Sequence, residues 1–361
     1  MAGIGGGLKF VHRQDYNQCI QMMKLLMTPF VCFWAFGFPD GMGIVELISG
    51  FVVPTFFVLS GYCVLEPERE VRLEKLKRAL VRSAIFFAQI FVVYIGLNVA
   101  YFIFTQSFDP VVLRAKRFWF EFLVLNVWPL PVGNSIWFIQ ALLYAYIFLF
   151  IADKLKLLRF YKLFLLVLLV FMVLVGELAG VINFNILGYG FIPGGAVTRA
   201  LPYLLLGMFL REIKEKLENV PFWVWLILLV LGGGAVYGEA YLLASMGKLV
   251  SLGHFIGYGL MAVAICGLCI ALEGMPMTPF SYYGGEIAKV VYVMHNPFYY
   301  ALLVIAALRA PQNFGFAVQF GGIIVFVLSL VLGVLVSFCK SVFKMLFVPE
   351  IEDEDEIDGE Q

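Results

Sequence analysis

FVVPTFFVLSGYCVL, residues 51–65, decides the fold, and the basic stretch after it, ending in KRALVR (77–82), decides the orientation. An apolar segment of membrane length begins near Glu46, carries Pro54 near its middle and ends in the polar step Ser60-Gly61-Tyr62. Hydrocarbon penalises unsatisfied polar groups, so such a step at the end of a span points to a packed interior or a water-filled cavity rather than to lipid contact.

The same reading extends along the whole chain. Of 361 residues, 62% are hydrophobic and 14% charged, a balance that excludes an ordinary soluble globular domain. Apolar runs recur at roughly 20 residues, the length a helix needs to cross a bilayer. The expected fold class is all-α: a polytopic bundle of about ten transmembrane helices, near 18–37, 46–65, 84–104, 135–152, 163–181, 198–211, 221–237, 253–272, 287–308 and 317–339. Domain organisation follows, with an N-terminal segment 1–17, a transmembrane domain 18–340 and an acidic tail 341–361 whose composition suits a solvated, disordered end, with a regulatory or protein-docking role as the sharper alternative.

Basic residues in short loops set the topology. Loop 66–83 carries Arg69, Arg72, Lys75, Lys77, Arg78 and Arg82; loop 153–162 carries Lys154, Lys156, Arg159 and Lys162; loop 212–219 carries Lys214 and Lys216 beside Arg211. Ten spans put all three on one side with Lys9, Arg13, Lys340 and Lys344. Both termini are therefore expected in the cytoplasm and the protein in the plasma membrane. Arg114, Lys116 and Arg117 dissent, and an amphipathic helix at the outer interface, RFWFEFLVL (117–125), accounts for them. Residues 1–17 have no apolar core, so the first span is expected to serve as an uncleaved anchor. Net charge is formally zero, which gives no reason to expect a nucleic-acid partner. Cys266-Gly-Leu-Cys269 has redox-motif spacing but lies in an apolar helix, where small packing residues are the plainer reading; no metal site is expected.

Five segments in order resemble the acyltransferase 3 family of integral membrane acyltransferases: VPTFFVLSGYCVL (53–65), KRALVRSAIFF (77–87), NSIWFIQALLYAYI (134–147), YLLLGMFLRE (203–212) and VVYVMHNPFYY (290–300). The resemblance runs from about residue 15 to 340. It implies transfer of an acyl group, with acetyl expected, from cytoplasmic acyl-coenzyme A to a hydroxyl of a carbohydrate or lipid-linked glycan. Acyl-coenzyme A is then a co-substrate and no bound cofactor is implied. One departure stands out. The family carries a basic residue early in the first span and a histidine eleven positions later; here Lys24 is followed by Ala35.

Acyl transfer to an alcohol needs a base for the hydroxyl proton and donors for the oxyanion. Histidine suits the first role, and the chain has three. His12 precedes the first span and reads as solvated. His254 stands at the entrance of the eighth span, as an interface residue or a substitute base. His295, beside Tyr292 and Asn296-Pro297 in an apolar helix, is either a structural anchor or a cavity residue. Lys24 either snorkels or faces a cavity. Arg69, Arg72, Arg78 and Arg82 suit the phosphates of the donor, with positive-inside topology and anionic lipid as the plainer account. Ser60 and Tyr62 offer hydroxyls, although packing through Gly61 explains the same residues. Trp137 suits sugar stacking or the outer interface. Asp40, Glu46 and Glu177 are further carboxylates, most plainly read as solvated, that burial would turn into bases.

Two other readings remain: a binding or assembly protein that keeps the fold without the chemistry, and a small-molecule transporter. The transporter reading lacks paired mid-span carboxylates and inverted repeats.

Overall fold

The computed structural model describes residues 17–41, 43–105, 116–175, 195–248, 255–276 and 278–347. Within them all ten apolar segments are helical and no strand occurs. Eight helices or helix pairs are long and apolar enough to cross a membrane. The sixth and eighth segments are shorter, at 12 and 16 residues.

The first segment is two helices, α1 (Gln18–Leu26) and α2 (Thr28–Phe36), interrupted at Met27. Asn17 caps α1 by accepting from the Ile20 amide at 3.0 Å. Pro29 sits in the first turn of α2, where a missing N–H costs nothing. The second segment is likewise split, into α3 (Ile44–Ser49) and α4 (Val52–Val64), and Asp40 accepts from the Gly43 and Val45 amides that open α3.

α5 corrects the sequence reading most. It starts at Arg69 and runs to Thr105, so most of the expected basic loop is helix. At 1.5 Å per residue its 37 residues extend about 55 Å, against a hydrocarbon core of about 30 Å. Its basic end therefore projects past the bilayer. The amphipathic helix α6 (Lys116–Leu123) is narrower than expected. Its Phe118 and Phe122 are buried against α5 and Trp128, while Trp119 and Phe120 stay exposed. Then follow α7 (Ile136–Lys154), α8 (Tyr161–Val175), α9 (Leu201–Glu212) behind a π-helical turn at Ala196–Ala200, α10 (Phe222–Ser245), α11 (Ile256–Ala271), α12 (Pro279–Arg309) and α13 (Gly321–Phe347). α13 continues into the stretch assigned to the tail, and the acidic residues 350–360 lie outside the described residues.

Packing forms two main groups. α4 is flanked by α9 and α11, with α8 and α10 outside them; α12 is flanked by α1 and α13, with α2 against α13. α5 packs on α7. The α4–α9 crossing brings backbone against backbone: a Cβ at Gly207 would collide with the Val58 carbonyl, and one at Gly61 with the Leu204 carbonyl. Membrane helices lack a hydrophobic drive toward one another, so such close approach is what holds them. Gly207→Ala is expected to destabilise the protein by about 1–3 kcal/mol, as overpacking does. Gly96→Ala, which meets open space, should leave stability unchanged or slightly raised. Thermal unfolding midpoints in detergent check the pair, and equal midpoints would refute the crossing.

Pro297 lies inside α12 and cannot donate to the Val293 carbonyl. Tyr94 on α5 supplies the missing bond, its Oη donating to that carbonyl at 2.9 Å. With the tyrosine proton so used, Ser135 Oγ donates to Tyr94 Oη at 2.8 Å. Asn296 Oδ1 accepts from the Gly133 amide at 2.7 Å, and Asn98 bridges Tyr94 and both backbone groups of Val132. The proline's cost is thus offset by a network joining α5, the lead into α7 and α12.

Candidate active site

The two helix groups, with α5 and α7, leave a cavity of about 1900 Å³. Ordinary small-molecule pockets hold about 300–1,000 Å³. α1, α2, α4, α5, α7 and α12 form its walls, and the ends of α9 and α11 reach its mouth. The inner part is apolar, lined by Val31, Phe56, Leu59, Phe138, Ile139 and Leu142. The mouth carries seven Lys or Arg side chains against three Glu, so its field is positive.

Those charges are largely organised. Glu66, just beyond α4, accepts from Arg211 at 3.0 Å through both oxygens and from Lys75 at 2.8 Å. Burial pushes the Glu66 carboxyl up, but the hydrogen bonds from Lys75 and Arg211 outweigh it and hold it below its ordinary value. The contribution of Glu66 to stability is therefore present above the usual carboxylate range and lost as pH falls through the depressed value. Lys214 pairs with Glu273 and Glu218, Lys289 and Lys340 with Glu286, and Arg78 with Glu74. These pairs join the ends of six spans and define one basic end of the bundle.

Lys24 and Arg82 differ from the rest. Both line the cavity, and neither has a carboxylate partner among the described residues; Arg82 donates only to the Arg78 carbonyl, at 3.3 Å. Ser60, Tyr62, Cys63 and Tyr146 face the same space, with Tyr62 beside Arg211. Of the residues singled out in the sequence, Lys24, Ser60, Tyr62, Arg78, Arg82 and Tyr292 therefore converge on one cavity.

The others do not. Arg72 turns away into a buried pair with Asp153, Nε to Oδ2 at 3.0 Å and Nη2 to Oδ1 at 2.9 Å, and also donates to the Glu66 and Pro67 carbonyls. Arg69 bonds the Asp153 carbonyl at 3.2 Å and lies outside the cavity lining. Trp137 packs edge-on against Trp34, with the Arg199 guanidinium 5.5 Å from its ring centre. His254, His12 and Glu177 fall outside the described residues.

His295 stands behind the inner wall. Val291 and Tyr292 line the cavity, and His295 lies one turn further along α12, buried against Phe36 and Tyr292 with ring centres 5.7 and 6.1 Å away. Its Nδ1 is 3.1 Å from the Val291 carbonyl, which can only accept, so Nδ1 carries the proton and Nε2 holds a lone pair. Tyr292 Oη donates to the Ser135 carbonyl, tying this wall to α7. Ala35 is exposed and outside the cavity lining, yet its neighbour Phe36 touches His295. The α12 imidazole thus stands beside the segment of α2 where the resemblance implies a histidine and this chain has Ala35.

Arg211, Lys75, Glu66, Tyr146 and Lys289 were not singled out from sequence as site residues. Arg211 and Glu66 each follow a span directly, a position that also fits simple topology. Only their mutual pairing across helices reveals a shared mouth.

No curated protein and no solved structure matches the chain. A family model described as an acyltransferase domain matches residues 25–342, nearly the whole of it. With the ordered motifs and the polytopic bundle, that match places this chain in the acyltransferase 3 family of integral membrane proteins.

Proposed function

We propose that the protein is a membrane O-acyltransferase that moves an acyl group, with acetyl expected, from cytoplasmic acyl-coenzyme A to a hydroxyl of a carbohydrate or lipid-linked glycan. The observation that carries this reading is the positive mouth leading to an apolar interior, with Lys24 and Arg82 in the lining and without an acidic partner among the described residues. Phosphates of the donor meet Arg82, Arg78 and Lys24, since guanidinium groups bind phosphate bidentately. The acyl thioester reaches the apolar part. His295, one turn behind the Val291–Tyr292 wall, is the base of this reading: the acceptor hydroxyl reaches it past Tyr292, and Nε2 takes its proton as the hydroxyl oxygen attacks the thioester carbonyl. The coenzyme A thiolate leaves and is protonated from the imidazolium. Both termini and the cavity mouth are then cytoplasmic, in the plasma membrane.

The direct test is transfer of labelled acetyl from acetyl-coenzyme A into glycans or glycolipids in membranes that contain the protein. Binding gives a second test. A charge-assisted hydrogen bond contributes about 1.5–3 kcal/mol, so Arg82→Gln or Lys24→Gln is expected to weaken coenzyme A binding about tenfold or more. Calorimetric titration measures this, and unchanged affinity in both variants would remove the donor site from this cavity.

One observation favours a second reading, a binding or assembly protein. No described histidine lines the cavity itself, and the usual position is Ala35. Activity that appears only in Ala35→His would support that reading.

A further inference from the structure

We propose that the positive cavity mouth is a docking surface for the chain's own acidic segment, residues 350–360, which competes there with an anionic donor. Three observations meet. First, seven cationic side chains line the mouth against three carboxylates, or five with the adjacent Glu74 and Glu218 that pair Arg78 and Lys214, and Lys24 and Arg82 have no acidic partner among the described residues. Second, the sequence after α13 reads VPEIEDEDEIDGEQ (348–361), with eight carboxylates and no basic residue. Third, α13 passes that mouth seven residues before its end: Lys340 Nζ reaches Glu286 Oε2 at 2.8 Å, and Glu286 lines the cavity.

Reach is sufficient. Lys340 to Phe347 adds about 10 Å along the helix. The 14 residues that follow can extend about 46 Å, enough to return to a rim only two helical turns away. A tethered segment acts at an effective concentration on the order of 1 mM, so a tail with an intrinsic dissociation constant of ~0.1 mM weakens a competing ligand about tenfold. The contact is between solvated charges and must therefore fade with salt.

Two arms test this on the full chain. In the first, a photo-crosslinking benzoylphenylalanine replaces Ile357; adducts are expected on residues 75–86 of α5 or 285–292 of α12. They should disappear when the eight carboxylates between 350 and 360 are changed to amides. In the second, coenzyme A alone is titrated into native and amide-tail protein; the amide form is expected to bind about tenfold tighter at low ionic strength, with the gap closing at high salt. The second arm rests on the donor reading above and the first does not. Adducts without any coenzyme A binding would keep the docking and remove the donor. Coenzyme A binding that ignores the tail, with adducts absent from the rim or indifferent to its charge, would overturn the docking and leave the donor site standing.

Discussion

Replacing His295 with alanine or glutamine is expected to lower acyl-transfer turnover by ~10²–10⁴-fold, the usual contribution of a positioned general base. Affinity for coenzyme A should stay within about twofold, because the loss falls on the transition state alone. The argument rests on the hydrogen bond from Nδ1 to the Val291 carbonyl, which leaves Nε2 as the free lone pair. Glutamine is the informative replacement. Its amide can still donate to the Val291 carbonyl and fill much of the space between Phe36 and Tyr292, so a purely structural role would be largely rescued. Steady-state kinetics with acetyl-coenzyme A, beside thermal unfolding of each variant, separate the two cases. A glutamine variant that turns over at the native rate would end the case for His295 as base. Tyr292→Phe adds a further expectation. Losing the bond to the Ser135 carbonyl loosens the wall between cavity and imidazole, so turnover should change without a matching change in donor affinity.

The bundle was legible in the sequence because lipid imposes a simple rule: every span must be apolar for about 20 residues. The site was legible only in part, and the reasons differ from residue to residue. Arg78 and Arg82 stand out by their spacing after Ser60-Gly61-Tyr62, and both reach the cavity. Arg69 and Arg72 share that basic cluster, yet a helix starting at Arg69 turns Arg72 toward α7. Sequence offers no sign of this, since Asp153 lies 81 residues away and reads as an ordinary charge at a span's end. The breaks at Met27 and at Gly50-Phe51 were hidden too, because hydropathy records composition and not the path of the helix axis. Pro297 was visible as a weak point in its helix. That Tyr94 repairs it could not be, because the repair comes from a helix 199 residues earlier.

Arg72→Leu and Asp153→Leu are each expected to destabilise the fold by about 3–5 kcal/mol: the first leaves the buried Asp153 with only the half-exposed Arg69, 3.8 Å away, and the second strands the buried Arg72. The two residues are 6% and 1% exposed, and Nη1 of the guanidinium donates to the Glu66 and Pro67 carbonyls. Replacing both by leucine removes both desolvation costs, so the double variant should recover most of the loss, as happens when buried pairs are exchanged for apolar residues. Thermal unfolding of the three variants in one detergent completes the cycle; a double variant no better than the worse single one would contradict the pairing. The same cycle separates two roles for Arg72. The pair pins the projecting end of α5 to the end of α7, and Arg78 lies six residues beyond Arg72, about 9 Å along the helix. If Arg72 acts only by positioning, coenzyme A affinity falls in the single variants and returns in the double one. If Arg72 bound the donor phosphates itself, affinity would stay low in the double variant even as stability came back. The geometry favours the first outcome, because two nitrogens of the guanidinium already face Asp153 and the third is shared between two carbonyls, leaving no face for a phosphate.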